Sequence, residues 1–198
     1  MEKQELILRF TFTEPLLGTV PKDRAVYASY IASKAPKPAE AAEQECQSVQ
    51  EAEESGWTGF HLDGAGNPFL FDYVIKGFFK DACSMLSRVE GSQSKKLRAF
   101  KKVIDGLLFP RPRQIPLDLS GPITLVERPL RAQTAQGERV ALARSDAAPV
   151  GSSVKFGLVI MGSTPDALLT EWLDYGAVRG LGQWRNGGYG RFTWEQLP

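Results

Sequence analysis

Residues with chemistry to offer gather in one short stretch, Gly180-Leu181-Gly182-Gln183-Trp184-Arg185-Asn186-Gly187-Gly188-Tyr189-Gly190-Arg191. Five glycines in eleven positions (180–190) exclude a helix interior or a regular strand, because glycine weakens both. Such a backbone turns through left-handed conformations, approaches a ligand closely and leaves amides exposed. Arg179, Arg185 and Arg191 add planar cations, and Trp184 and Tyr189 add aromatic faces. Amides, guanidinium groups and rings in one bend suit phosphates and stacked bases, so the stretch reads as a phosphate- or nucleic-acid-facing loop. No catalytic residue is assigned. The single histidine, His61, lies two positions before Asp63, within reach of acid–base chemistry, but a lone histidine in a strand-like run reads as structural. One histidine and two cysteines (Cys46 and Cys83) without ligand spacing support neither a metal site nor a cofactor.

The net charge of +1 conceals an asymmetry. Residues 1–74 hold 6 basic and 12 acidic side chains, residues 75–144 hold 14 and 6, and residues 145–198 hold 4 and 5. A basic middle segment in a near-neutral chain points to a local face for polyanions. The 42% hydrophobic and 24% charged content is that of a water-soluble folded domain. No apolar run reaches the length of a membrane span, and the N-terminus lacks the order of a signal peptide, so a reduced, cytoplasmic protein is expected.

Hydrophobic patterning supplies the supports of that bend. Residues 5–12 predict a strand with Leu6, Leu8, Phe10 and Phe12 on one face. Pro15, Gly18 and Pro21 interrupt regular structure after it, Asp23 predicts the cap of a short helix to Ser33, and residues 39–55 predict an exposed helix or mobile acidic insertion. Residues 57–62 read as a strand and 63–68 as a turn. A helix is predicted over Tyr73–Val89, its Val74, Phe78, Ala82, Met85, Leu86 and Val89 facing a sheet and Gly77 permitting a close backbone contact. A basic helix over Lys95–Ile104 buries Leu97, Phe100, Val103 and Ile104. Short strands at 107–109 and 123–126, an irregular arm or hairpin over 129–140, a strand at 154–161, a helix over 165–177 and a final strand from Phe192 complete the chain. Phe78, Met85, Phe156, Trp172 and Leu173 are assigned to the core. One domain is expected over 1–198, with a helical, acidic insertion at about 22–56 and a β-rich arm at about 110–145. Its core order is β-α-β-β-α-β: an α+β, ferredoxin-like (RRM-like) sheet with insertions. RNA-recognition domains of similar topology use the sheet face that the helices leave free.

Three segments together resemble the RAMP superfamily, the repeat-associated proteins that form the RNA-binding backbone and the guide-processing nucleases of CRISPR systems. The Gly180–Gly190 bend is similar to that family's glycine-rich loop between last helix and last strand. Tyr73-Val74-Ile75-Lys76-Gly77-Phe78-Phe79-Lys80-Asp81-Ala82 is similar to its first-helix motif, and residues 143–156 to the turn and strand that return to the sheet. The resemblance covers residues 5–13 and 70–194. It implies a domain that grips single-stranded RNA by its backbone, with Lys76 and Lys80 on the first helix and Arg179, Arg185 and Arg191 at the loop. It further implies that amides of Gly182, Gly187 and Gly188 meet phosphate oxygens while Trp184 or Tyr189 stacks on bases. The arm near Arg128–Arg139 is similar in position to the hairpin that backbone subunits extend over a neighbour, which implies a homo-oligomer or CRISPR effector subunits as partners.

This chain departs from the family in two places. Guide-processing members often use histidine where this chain has only His61, and the aspartate that cleaves target RNA in some backbone subunits has no marked equivalent among Asp23 and Asp63. The acidic segment of 40–54 has no counterpart. The leading expectation is therefore a sequence-tolerant, salt-dependent single-stranded RNA-binding protein resembling a CRISPR backbone subunit. The alternatives are a metal-dependent or metal-independent endoribonuclease of the same superfamily, and an interaction module or decoy that docks on a CRISPR effector complex.

Overall fold

Strand β1 (Lys3–Phe12) runs through the middle of the main sheet, and its alternation divides it as the sequence predicts. Leu6, Leu8, Phe10 and Phe12 are buried, while Glu5, Ile7, Arg9 and Thr11 take the other face. The computed structural model describes residues 3–22, 57–134, 137–162 and 166–198. The helix expected from Asp23 and the acidic segment of 39–55 lie outside those residues.

In chain order the further elements are β2 (Leu16–Leu17), β3 (Val20–Pro21), β4 (Trp57–Gly59), β5 (His61–Leu62), β6 (Pro68–Phe71) and helix α1 (Asp72–Leu86). After these lie a 3-10 turn (Ser94–Lys96), α2 (Phe100–Leu107), β7 (Leu108–Arg111), β8 (Gln114–Asp118), β9 (Thr124–Thr134) and β10 (Gly137–Ala148). Then come β11 (Ser153–Met161), α3 (Asp166–Arg179), a second 3-10 turn (Arg185–Gly187) and β12 (Phe192–Leu197).

The order β12-β1-β11-β7, all antiparallel, with α1 and α3 as crossovers, is the ferredoxin-like α+β arrangement. The start of β11 also pairs with β8, which carries the sheet on through β6 to β5. A second sheet, β2-β10-β4-β3 with β9 on β10, stands beside it. Among the described residues no helix is long and apolar enough to cross a membrane.

One core joins β1, β11 and β12 to α1 and α3. Phe10 stacks on Phe192 at 4.2 Å and meets Phe156 edge-on at 5.0 Å and Phe78 at 5.7 Å. Trp172 and Leu173 are buried, as the sequence predicts, Trp172 against Phe79. Helix α1 buries Ile75, Phe78, Phe79, Ala82 and Cys83. Met85 (39% exposed) and Val89 (51% exposed) are corrections to the predicted core. Packing against α3 draws the Phe79 and Cys83 side inward and turns Met85 out.

The close approach expected at Gly77 is instead at Gly176. Nothing lies within 4 Å of a Cβ added at Gly77, whereas one at Gly176 would lie 1.8 Å from Phe78 Cε2. The predicted basic helix is also broken. Ala99 sits at φ 51°, separating the first 3-10 turn from α2, where only Ile104 is fully buried. That turn is tied to α3, because the Glu171 carboxylate accepts from the Ser92 hydroxyl, the Gln93 amide and both the amide and hydroxyl of Ser94. Trp172 Nε1 donates to the same Ser94 hydroxyl at 2.9 Å.

The strand predicted at 57–62 splits at Phe60, β4 joining the second sheet and β5 the first. The arm read as irregular is a regular hairpin whose ladder runs from Thr124↔Ala147 to Thr134↔Gly137. Its polar and basic composition hides the period of two that marks a strand.

Candidate functional site

Glycines build the bend between α3 and β12, but chiefly by letting it pack on itself. Gly180, Gly182, Gly188 and Gly190 all have positive φ. A Cβ at Gly190 would lie 2.0 Å from the Leu181 carbonyl oxygen, and one at Gly180 would lie 2.5 Å from that of Tyr189. The two legs therefore touch backbone to backbone, held by the Leu181 amide donating to Gly190 at 2.9 Å. Gly190 itself donates to Pro15, and Gly182 lies against Leu16 and the Leu17 carbonyl. Gln183 pins the bend to the second sheet, its carboxamide nitrogen reaching the Gly18 carbonyl, Thr58 Oγ1 at 2.7 Å and Ser145 Oγ at 2.8 Å.

The expectation that the Gly187 and Gly188 amides meet phosphate is corrected. Both donate inside the turn, to the Trp184 carbonyl at 2.8 Å and the Arg185 carbonyl at 3.0 Å. The Gly182 amide, by contrast, makes no backbone hydrogen bond among the described residues, and the side chains of the bend offer the rest of its contacts.

The tip presents an aromatic platform. Trp184 occupies the left-handed region at φ 56°, unusual for a bulky residue, and remains 37% exposed. Its indole stacks on Tyr189 with centroids 5.5 Å apart and planes 17° apart. Arg191 is exposed and makes no side-chain hydrogen bond or ion pair among the described residues. It borders a shallow concavity with Glu14, Asn186 and Tyr189.

The other two loop arginines are held from below. Arg185 Nη1 donates to Asp81 Oδ2 at 2.6 Å, and Arg179 Nε reaches the same oxygen at 3.5 Å without hydrogen-bond alignment. Arg179 Nη1 donates to Asn186 Oδ1 at 2.6 Å. Asp81, from α1, is thus the common anchor of both guanidinium groups, and no sequence pattern marks it.

Lys76 and Lys80 point elsewhere. Lys80 pairs with Asp105 at 2.5 Å, and Lys76 donates to the Asp105 carbonyl at 3.0 Å and lies over the Phe109 ring. Both tie α1 to α2 and contribute no hydrogen bond or ion pair to the bend. Lys76 also borders, with Arg111, Arg113 and Lys155, an open concavity at the edge of the helix-free sheet face.

Among the described residues no charged side chain pairs with His61. Its ring stacks on Phe69 at 5.5 Å, and burial lowers its pKa, so it stays neutral at physiological pH. The Asp63 carboxylate caps its own turn, accepting from the Asn67 amide, the Asn67 side chain and the Ala65 amide. The Asn67 backbone bond, first among these, holds its pKa below the usual range. No group of three metal-ligating side chains occurs among the described residues.

No protein-family model matches the chain, and no curated protein does. Among solved structures the fold is similar to a chain of the cryo-EM structure of the Type III-B Cmr-beta bound to cognate target RNA, with TM-score 0.54 and 12% identity. That match covers 100% of this chain and 60% of the other, so the chain spans about 60% of the length of its structural neighbour.

Proposed function

We propose that this protein binds single-stranded RNA without reading its sequence, on the surface around the Trp184–Tyr189 stack, as a backbone-like component of a CRISPR effector assembly. One observation carries the reading. A partly exposed aromatic stack and an unpaired guanidinium, Arg191, sit together on the tip of a bend that the rest of the domain holds rigid. Rings accept any base and a guanidinium accepts any phosphate, so contact of this kind tolerates sequence. Arg179 and Arg185 add positive charge to the rim, with N–H groups beyond those used by Asp81 and Asn186. Gly182, Gly187 and Gly188 shape the bend. The likeness in fold to a chain from an RNA-bound effector complex supports the same reading and motivates the partner class. Lys76 and Lys80 are left out of this surface, because both are engaged at the α1–α2 junction.

Fluorescence anisotropy with labelled single-stranded and duplex RNA tests the proposal. Oligo(U) and oligo(A) are expected to bind within a few-fold of one another and more tightly than duplex. Affinity should fall with salt along a log–log slope of about −0.7 per phosphate contacted. Equal, weak and salt-insensitive retention of single strand and duplex overturns it.

A further inference from the structure

Arg128 is a charged side chain that no acid among the described residues pairs with. It lies on β9 opposite Ala143, only 7% exposed, and its Nε and Nη1 are buried with no hydrogen-bond partner among the described residues. Buried guanidinium groups are almost always paired, because an unmet N–H forfeits its hydration for nothing in return. The acid nearest in sequence does not serve it: Glu127 accepts from Arg144 Nε at 2.8 Å instead. What Arg128 does contact is the functional tip. Its guanidinium carbon lies 3.9 Å from the centroid of the Trp184 ring. Burial lowers the Arg128 pKa, and the nearby Tyr189 acts in the opposite sense, yet an arginine keeps its charge at physiological pH.

We infer that Arg128 is a phosphate-binding residue for single-stranded RNA, covered by Trp184 until a base engages the indole. This rests on the proposed RNA-binding function and adds a residue and a movement to it. Trp184 occupies a strained left-handed conformation, so its present position over Arg128 is held by the stack and not by backbone preference. A base stacking on the indole draws it off the guanidinium. The phosphate beside that base then supplies the acceptor that Nε and Nη1 lack. One ligand thus meets a buried charge that the described residues leave without a hydrogen-bond partner.

Two variants test the assignment, Arg128→Met and Arg128→Lys, read by oligo(U) anisotropy from low to moderate salt, thermal unfolding and Trp fluorescence. Arg128→Met is expected to weaken binding about tenfold or more, and to reduce the magnitude of the log–log salt slope by about 0.7, one phosphate contact. Its melting temperature should hold or rise, because exchanging a buried unpaired charge for an apolar group of similar length removes a penalty. A residue that merely supported the fold would lower it. Arg128→Lys keeps the charge and should retain part of the affinity, and it decides the matter if the Met variant fails to fold. RNA should change Trp fluorescence in the wild type; inorganic phosphate alone, with no base to move the indole, should not. Unchanged affinity and slope in both variants, while Arg191→Glu weakens binding, overturns the role of Arg128 and leaves the RNA-binding function standing. A wild-type protein that does not bind the RNA overturns both.

Discussion

Asp81 decides how much of the bend's charge is available. One carboxylate holds two guanidinium groups on side chains that are about a third exposed or less. Partly exposed pairs of this kind contribute about 0.2–1 kcal/mol each. Asp81→Asn should therefore lower the melting temperature only slightly, while releasing Arg179 and Arg185 and tightening oligo(U) binding several-fold in anisotropy. Weaker binding in that variant would show that the anchored geometry, not the free charge, matters. Arg191→Glu should weaken binding about tenfold with little change in melting temperature, since the exposed side chain makes no hydrogen bond or ion pair among the described residues. The sequence displays these arginines plainly, but not which are already engaged. Asp81 and Gln183 become visible only when the chain brings α1 and the second sheet against the bend.

Where elements meet, the junction of the first 3-10 turn with α3 depends on ionised Glu171. Burial acts to raise its pKa, but hydrogen bonds from Ser94, Gln93 and Ser92 outweigh burial and hold it below the ordinary value. A carboxyl depressed in the folded state contributes stability above its unfolded pKa, about 4.3, and loses it as pH falls through the folded value. Melting temperature should thus drop on acidification below about pH 4, and Glu171→Gln should flatten that part of the profile. Helix crossing is equally specific. Gly176→Ala places a methyl inside the Phe78 ring and should cost about 1–3 kcal/mol in denaturant unfolding, whereas Gly77→Ala should be neutral or stabilising.

Element type and order are largely readable in the sequence, because β1, β11 and α1 carry apolar periodicity and the run of 165–177 has helix-forming composition. Other features are not, among them three that share a cause. The split at Phe60, the outward Met85 and the regularity of the β9–β10 hairpin all depend on which surface an element meets, which local pattern does not encode. Among the described residues the outer part of that hairpin has ladder partners only within the hairpin. Replacing residues 130–141 with a short turn should therefore leave the circular dichroism spectrum and melting cooperativity intact, and loss of folding would show that the hairpin supports the sheets.

Taken whole, the molecule links positions far apart along the chain. Phe10 faces Trp194 across one ladder and Val154 across the other. During synthesis β1 leaves the ribosome about 180 residues before its second neighbour, β12, exists. Until β11 is made an apolar ribbon rich in leucine and phenylalanine has both edges open, and until β12 is made it keeps one, a template for pairing with other nascent chains. An architecture that centres a strand made so long before its partners should make the yield of folded protein depend on chaperones that shield unfinished sheets.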